Sequence, residues 1–333
     1  MKSYNYDAWN IKVSDFPSDK NTLEQTKFIA RYGVLAPSVH NSQPWIFVIR
    51  NLLITIKPDY SKRLPQADTG DKFLHMSIGG CVESIEIAAK YFGFTSNHRV
   101  NSDNSVTITL KNYLKQEFKI HPDDITKRFS NKSPYHSKKI PTKILNEVVD
   151  NVSTDSVKLM FIQDVDIKSK FTNLHISAAN QTLKNKQFVK ELLDMLIPNN
   201  SKSYIGIPGF VSGMSNIKSH IIPKVIRAYP NILNHTVETK ERELLKKSAG
   251  FGIIYTTKTG ISSMIEAGGL YQKMSILLGL KHVHNTMLTA IIANDIERNK
   301  LKALLNIKDE PFLIFRFGYP VDKVIKHTPR KKI

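Results

Sequence analysis

Cysteine is nearly missing from this chain of 333 residues: Cys81 stands alone, so no internal disulfide can form and nothing points to an oxidising compartment. Long apolar runs are missing too. The most apolar stretch, "GISSMIEAGGLYQKMSILLGL", carries Glu266, Gln272 and Lys273, groups that are costly in hydrocarbon, so neither a membrane span nor a membrane partner is expected. The first residues, "MKSYNYDAWNIKVSDF", show no apolar core and no small-residue cleavage pattern, and a cytoplasmic protein is expected. Acids are scarce, 29 against 48 lysines and arginines, which leaves a net charge of +19. This surplus favours anionic ligands. The cations are nevertheless scattered, except in the closing "KVIKHTPRKKI", and no zinc-finger spacing, basic zipper or RNA-recognition aromatic signature accompanies them. Scatter of this kind reads as a solvated surface with no nucleic-acid partner. The fingerprints G-x-G-x-x-G, G-x-x-x-x-G-K-[ST] and G-x-S-x-G are all missing. His282 and His284 have no neighbouring carboxylate or cysteine to complete a ligand set, so no metal is expected.

What is present suits a core, since 41% of the residues are hydrophobic. Apolar spacing predicts a helix at about 22–35, a hairpin at about 45–57, a helix at about 72–92 and strands near 97–100 and 105–110. The second of these helices has the stripe Leu74, Ile78, Val82, Ile85, Ala89 and Phe92, in which Cys81 reads as a small buried hydrophobe. Further on come a helix after Pro141, the strand "VKLMFI", a helix at about 166–187 and a long loop at about 197–216. A polar helix ("VETKERELLKK"), the strand "FGIIYTT", the apolar helix ending at "LLGL", a charged helix and the strand "PFLIFRFGYP" close the chain. This mixed order predicts an α+β layer arrangement. Glycine pairs lie inside two helices, in "SIGG" (77–80) and "EAGG" (266–269). Each glycine weakens a helix by about 1 kcal/mol relative to alanine, so another backbone or a ligand is expected to approach closely there.

Between the first helix and the hairpin lies "APSVHNSQPW", Ala36 to Trp45, a dense set of hydrogen-bonding groups on a restricted backbone. Pro37, Pro44 and Trp45 are explained by a helix-to-strand corner; Ser38, Asn41 and Gln43 are not. The stretch resembles the signature of the nitroreductase family of flavoproteins, Ala-Pro-Ser, two spacers, Asn, one spacer, Gln-Pro-Trp, without a gap. The histidine before the asparagine is typical of a branch with two nitroreductase-like halves fused in one chain, which includes the flavin-sequestering Acg-type proteins. The resemblance implies FMN as cofactor, with Pro37, Ser38, His40, Asn41 and Gln43 against the edge of its ring system. "RFSNK" resembles the family's R-x-S-x-[RK] element, which implies that Arg128, Ser130 and Lys132 grip the FMN phosphate. Gly318, Tyr319 and Pro320 match the family's closing pattern, after which a basic pair also reaches the phosphate. Arg330 and Lys332 are candidates for that pair, although "PRKK" reads equally as a frayed basic tail. "IEAGGLYQKMSILLGL" resembles the helix start that approaches the flavin from its other side, which adds Glu266, Ala267 and Gly268.

The resemblance spans about 20–185 and 237–332. It implies a nitroreductase-like α+β fold, internally duplicated as a single-chain pseudo-dimer with helices packed around antiparallel or mixed sheets. One half would be 1–120, carrying the flavin loop, and the other 121–333, carrying the phosphate elements, with a lid-like insertion at about 197–235. The first half lacks R-x-S-x-R and the second lacks the proline-rich loop, so one FMN per chain is implied. The implied activity passes hydride from NAD(P)H through the flavin to a small nitroaromatic or quinone-like acceptor. Because the flavin carries that chemistry, no side chain is assigned as acid, base or nucleophile. The alternative is a protein that sequesters or stores FMN with little turnover, its lid covering the ring. A monomer is compatible with either, since the halves mimic a dimer.

Overall fold

The computed structural model describes residues 4–113, 118–229, 232–321 and 327–333. Parts of the expected insertion (230–231) and of the basic C-terminal stretch (322–326) lie outside the described residues. Helix α1 (Thr22–Ala30) begins where the Asn21 side chain accepts from the Glu24 amide (3.1 Å) and stops at Ala30, short of the expected end at 35, giving way to a tight turn at Gly33–Leu35. The hairpin β1 (Trp45–Arg50) and β2 (Leu53–Pro58) leads to the long helix α2 (Lys72–Tyr91) and to β3 (Phe94–Val100) and β4 (Val106–Asn112). Then come α3 (Pro122–Lys127), β5 (Tyr135–His136), α4 (Thr142–Val152), β6 (Val157–Ile162), α5 (Val165–Lys184) and α6 (Lys186–Met195). Two helices thus stand where one was expected at 166–187, because the Asn185 side chain accepts from the amides of Gln187 and Phe188 (2.9 and 3.2 Å) and starts a new one.

The region expected as loop contains the short parallel pair β7 (Leu196–Ile197) and β8 (Ile207–Pro208) and runs into α7 (Asn216–Ala228). Helix α8 (Ile232–Lys246), β9 (Gly250–Thr256), α9 (Ile261–Leu280), β10 (His284–Leu288), α10 (Asp295–Leu305) and β11 (Glu310–Pro320) complete the order. The strands form two antiparallel sheets, one ordered β1-β2-β4-β3 and the other β6-β9-β11-β10, with β5 paired to the end of β11.

Each sheet has its own core, and α2 and α9 run between them. Ile78 and Ile85 of α2 are fully buried with the first sheet; Ala267, Met274 and Leu278 of α9 are buried with the second, while its Ile265 and Ile276 join the first core. Full burial of one isoleucine contributes roughly 1.5–3 kcal/mol, so the apolar faces outweigh the roughly 1 kcal/mol lost at each helical glycine. The glycines have a packing reason. A Cβ on Gly79 would lie 1.9 Å from the Ile265 carbonyl oxygen, and one on Gly268 would lie 1.8 Å from that of Met76. Cys81 is buried in the first core. Among the described residues no helix is long and apolar enough to cross a membrane. The architecture is α+β, and it brings three separate segments to one place: the loop before β1, the segment between α3 and β5, and the C-terminal residues 327–333.

Candidate functional site

The loop before β1 is held in an unusual backbone state. His40, Asn41 and Gln43 have φ of 51°, 59° and 49°, the left-handed region that residues with a Cβ rarely enter. Two prolines stiffen the loop, and the Ser38 hydroxyl accepts from the Gln43 amide (3.0 Å), closing it on itself. Strain retained in this way marks a place where the surrounding structure over-determines the chain.

Its amides reach outward to two other segments. Asn41 Nδ2 donates to the carbonyls of Tyr204, Gly206 and Pro329 (3.3, 3.1 and 3.0 Å). Gln43 Nε2 donates to the Tyr204 carbonyl, and its Oε1 accepts from the Lys331 amide at 3.0 Å. The insertion and the C-terminal residues are therefore tied to the loop. A further tie comes from the short helix Tyr4–Asn10, whose Asn5 Nδ2 donates to the carbonyls of Ser201 and Ser203 (3.1 and 2.8 Å).

Two buried cations converge behind the loop. Arg330 Nη2 donates to the Ala36 carbonyl (3.1 Å), and Nη1 donates to Thr328 Oγ1 (2.6 Å), the Pro329 carbonyl (2.9 Å) and Asn41 Oδ1. Its guanidinium also lies over an aromatic face, 5.3 Å from the centre of the Trp9 ring. Arg128, just after α3, donates from Nη2 to the Leu35 carbonyl (3.1 Å). Among the described residues the Nε of each has no partner, and the Arg330 and Arg128 side chains are only 3% and 6% exposed. Burial pushes Arg128 below its ordinary range, and burial with the charge of Arg128 does the same to Arg330. Guanidinium stays protonated at working pH, so both charges persist. Among the described residues no carboxylate lines the cleft they share with the exposed Lys132, a cavity of about 150 Å³ that opens to solvent. Three cations, two of them desolvated and none in an ion pair among the described residues, make a site suited to an anion.

Pro37, Ser38, His40, Asn41, Arg128, Ser130, Lys132 and Arg330 all line this cleft. Gln43 does not; it braces the loop from behind. Lys332 is turned away and pairs with Asp7 at 3.1 Å. Glu266 and Ala267 are not brought to the cleft either, whereas Gly268 lines a small adjoining pocket with the cleft residues Pro37, Val39 and Met287. Glu266 accepts from Ser156 Oγ (2.7 Å) and Thr154 Oγ1, Ala267 is buried in the second core, and Gly268 is pressed on α2. Sequence reasoning missed Trp9 and His327, whose rings stack with centres 3.8 Å apart, and the cleft-lining Ile207, Val211, Thr286, Met287 and Thr289. Only His327 had a local signal, its place three residues before Arg330.

The histidines give the cleft a pH signature. Burial, with Lys132 adding, pushes His40 down to about 3; burial, with Arg128 and Arg330 adding, pushes His327 down to about 3. Both are neutral in the folded chain at neutral pH. The unfolded chain takes up these protons as pH falls below 6.5, so stability is lost from there towards 3. Replacing both with glutamine is expected to flatten the unfolding midpoint between pH 6.5 and 5, above the carboxylate range, in stepped denaturant titrations. An identical slope in parent and variant would show that the imidazoles are solvated.

No family model matches the chain, and no curated protein matches it. Solved structures do. The FMN-dependent nitroreductase NfnB from Mycobacterium smegmatis in complex with NADPH aligns at 9% identity and TM-score 0.37, covering 59% of this chain and 85% of that one. Iodotyrosine deiodinase bound to FMN and 3-iodo-L-tyrosine aligns at 13% and 0.41, covering 63% and 95%. The hypothetical oxidoreductase YcnD from Bacillus subtilis aligns at 13% and 0.36, covering 61% and 67%. These are distant likenesses. The fold and the cleft themselves define an α+β protein with a basic, anion-receiving site.

Proposed function

We propose that the chain is an FMN-binding oxidoreductase of nitroreductase type, built as a single-chain pseudo-dimer. The observation that carries the reading is the pair of buried arginines, Arg128 and Arg330, met by no carboxylate among the described residues and set beside a strained proline-rich loop. A phosphate dianion supplies the charge they lack, and the two unpartnered Nε groups are donors ready for it. Arg128, Lys132 and Arg330 would hold the phosphate, with Ser130 beside them, and Pro37–Asn41 would wall the ring. When bound, FMN supplies reversible hydride acceptance from NAD(P)H and delivery to a nitroaromatic or quinone-like acceptor. The chain's own residues neutralise charge, fix orientation and exclude water. His40 and His327, kept neutral, offer hydrogen bonds without adding charge.

Duplication is supported by topology. The strand order β1-β2-β4-β3 around α2 has its counterpart in β6-β9-β11-β10 around α9, each sheet antiparallel throughout. The crossing of α2 and α9 is reciprocal: in each helix a glycine meets the carbonyl three residues before the other helix's glycine. Such a contact is what a two-fold interface produces.

A second reading, storage of FMN, is favoured by the insertion. Ile207 and Val211 line the cleft, and the bonds from Asn5, Asn41 and Gln43 fasten residues 201–206 over it. The test has two stages. The purified protein is expected to be yellow and to release stoichiometric FMN on denaturation; a colourless protein that takes up no added FMN would overturn the proposal. Next, NADH or NADPH and a nitroaromatic are added. Bleaching and reoxidation on the seconds scale supports the enzyme, and a flavin that only dithionite reduces supports the store.

A further inference from the structure

The insertion has a second face. Helix α7 packs inward through Ile226, against Val189 and Leu193 of α6, and through Ser219, whose hydroxyl accepts from the Asn199 amide at 3.2 Å. Outward it presents Ile217, Ile221 and Val225, followed by Tyr229, at 72%, 52%, 39% and 67% exposure. The spacing of four residues sets Ile217, Ile221 and Val225 in one stripe, and at about 100° per residue Lys218 and Lys224 border it on its two sides. Both lysines are exposed, as is Lys202 in the same insertion. From Met195 to Val237 the sequence has no aspartate or glutamate, in a chain with 29 of them. Arg227 is paired with Asp194 (2.7 Å), at the acidic edge of this stretch.

We propose that α7 docks the protein on an anionic lipid surface, its aliphatic stripe entering the headgroup boundary and its lysines meeting the lipid charges. A basic helix with an aliphatic outward stripe has the composition of an interfacial helix. Charge decides between occupants. A second copy would bring an equally basic, acid-free face against this one in a chain already at +19, a repulsive arrangement. Nucleic acid would leave three aliphatic side chains without partners. The expectation of no membrane partner rested on the lack of a spanning segment, and a surface-lying helix needs none. The proposal does not depend on the flavin reading.

The test is sedimentation with vesicles of phosphatidylcholine, with and without about a third of phosphatidylglycerol. Retention is expected on the anionic vesicles, falling as salt rises. Ile217→Glu with Ile221→Glu is expected to lower the partition roughly tenfold or more, and Lys218→Ala with Lys224→Ala by several-fold. A second pair, Ile217→Ser with Ile221→Ser, and thermal melts of each variant separate lost docking from lost folding. Equal retention of parent and stripe variants would overturn the proposal, leaving only general basic adsorption. A dimer in sedimentation equilibrium that the stripe variants abolish would also overturn it, assigning the stripe to a second copy.

Discussion

Replacing Arg128 with methionine is expected to cost FMN affinity by roughly 10- to 150-fold while leaving the ligand-free protein no less stable. Hydrogen bonds to charged groups are worth roughly 1.5–3 kcal/mol, and each 1.4 kcal/mol is a factor of ten. Against this stands the state without ligand, in which Arg128 is 6% exposed, donates to the Leu35 carbonyl and, among the described residues, faces no carboxylate. Replacing such a charge by an apolar side chain of similar length is often neutral or stabilising by about 1–4 kcal/mol. Arg330→Met should lose affinity by a similar factor but also destabilise the ligand-free chain, because its bonds to Ala36, Asn41 and Thr328 tie the C-terminal residues to the loop. Flavin-fluorescence titration and thermal melts of the ligand-free proteins read both quantities. Unchanged affinity in the two variants would place the phosphate elsewhere. A sharply lowered melt for Arg128→Met would make it a structural strut.

The contrast between these arginines bears on what the sequence could disclose. Arg128 and Arg330 lie far apart in the chain, and only the resemblance carried by "RFSNK" and the closing Gly-Tyr-Pro suggested that they meet. The stripe of α2 was legible from spacing alone, since one face of that helix packs on one sheet. Helix α9 was legible as apolar but not in its orientation: it is buried on nearly all sides, so periodicity is weak. Its glycines announced a close approach without saying to what; the resemblance assigned Glu266, Ala267 and Gly268 to the flavin, and in the structure Gly268 meets a backbone carbonyl of α2 while also lining a small pocket with Pro37 and Met287. Asn41 and Gln43 were singled out as contacts of the flavin ring, their partners being unexplained by the local sequence. Those partners in the structure are the carbonyls of Tyr204, Gly206 and Pro329, set by distant pairing that no local pattern encodes. Helix α7 escaped for a local reason, since Pro223 within it lacks an amide donor and reads as a helix breaker. Trp9 had no signal at all; an aromatic residue near the start of a chain reveals nothing until residues 327–330 return beside it.

The glycine crossing leads to the other large expected effect. Gly79→Ala and Gly268→Ala are each expected to destabilise the fold by about 3 kcal/mol or more, since overpacking a core costs about 1–3 kcal/mol even where side chains can move aside. Here the obstacles are carbonyl oxygens at 1.9 and 1.8 Å, belonging to helices buried between both cores, so the backbones themselves must separate. Domains are stable by about 5–15 kcal/mol, so the double variant should not fold. Each pair contains its own control. A Cβ on Gly269 would lie 3.5 Å from the Gly79 carbonyl oxygen, and one on Gly80 would lie 3.4 Å from the Ala36 Cβ, both ordinary contacts. Gly269→Ala should therefore recover up to about 1 kcal/mol of helix propensity and raise the midpoint slightly. Denaturant titrations of the four single variants measure the contrast. The separation should also reach the cleft, because the loop at 36–41 travels with the first sheet while Thr286 and Met287 travel with the second. Gly268→Ala is thus expected to weaken FMN binding even under conditions where it remains folded. If its midpoint and affinity both equal the parent's, the two helices are not in backbone contact, and the reciprocal crossing that supports a fused pair of halves is lost with it.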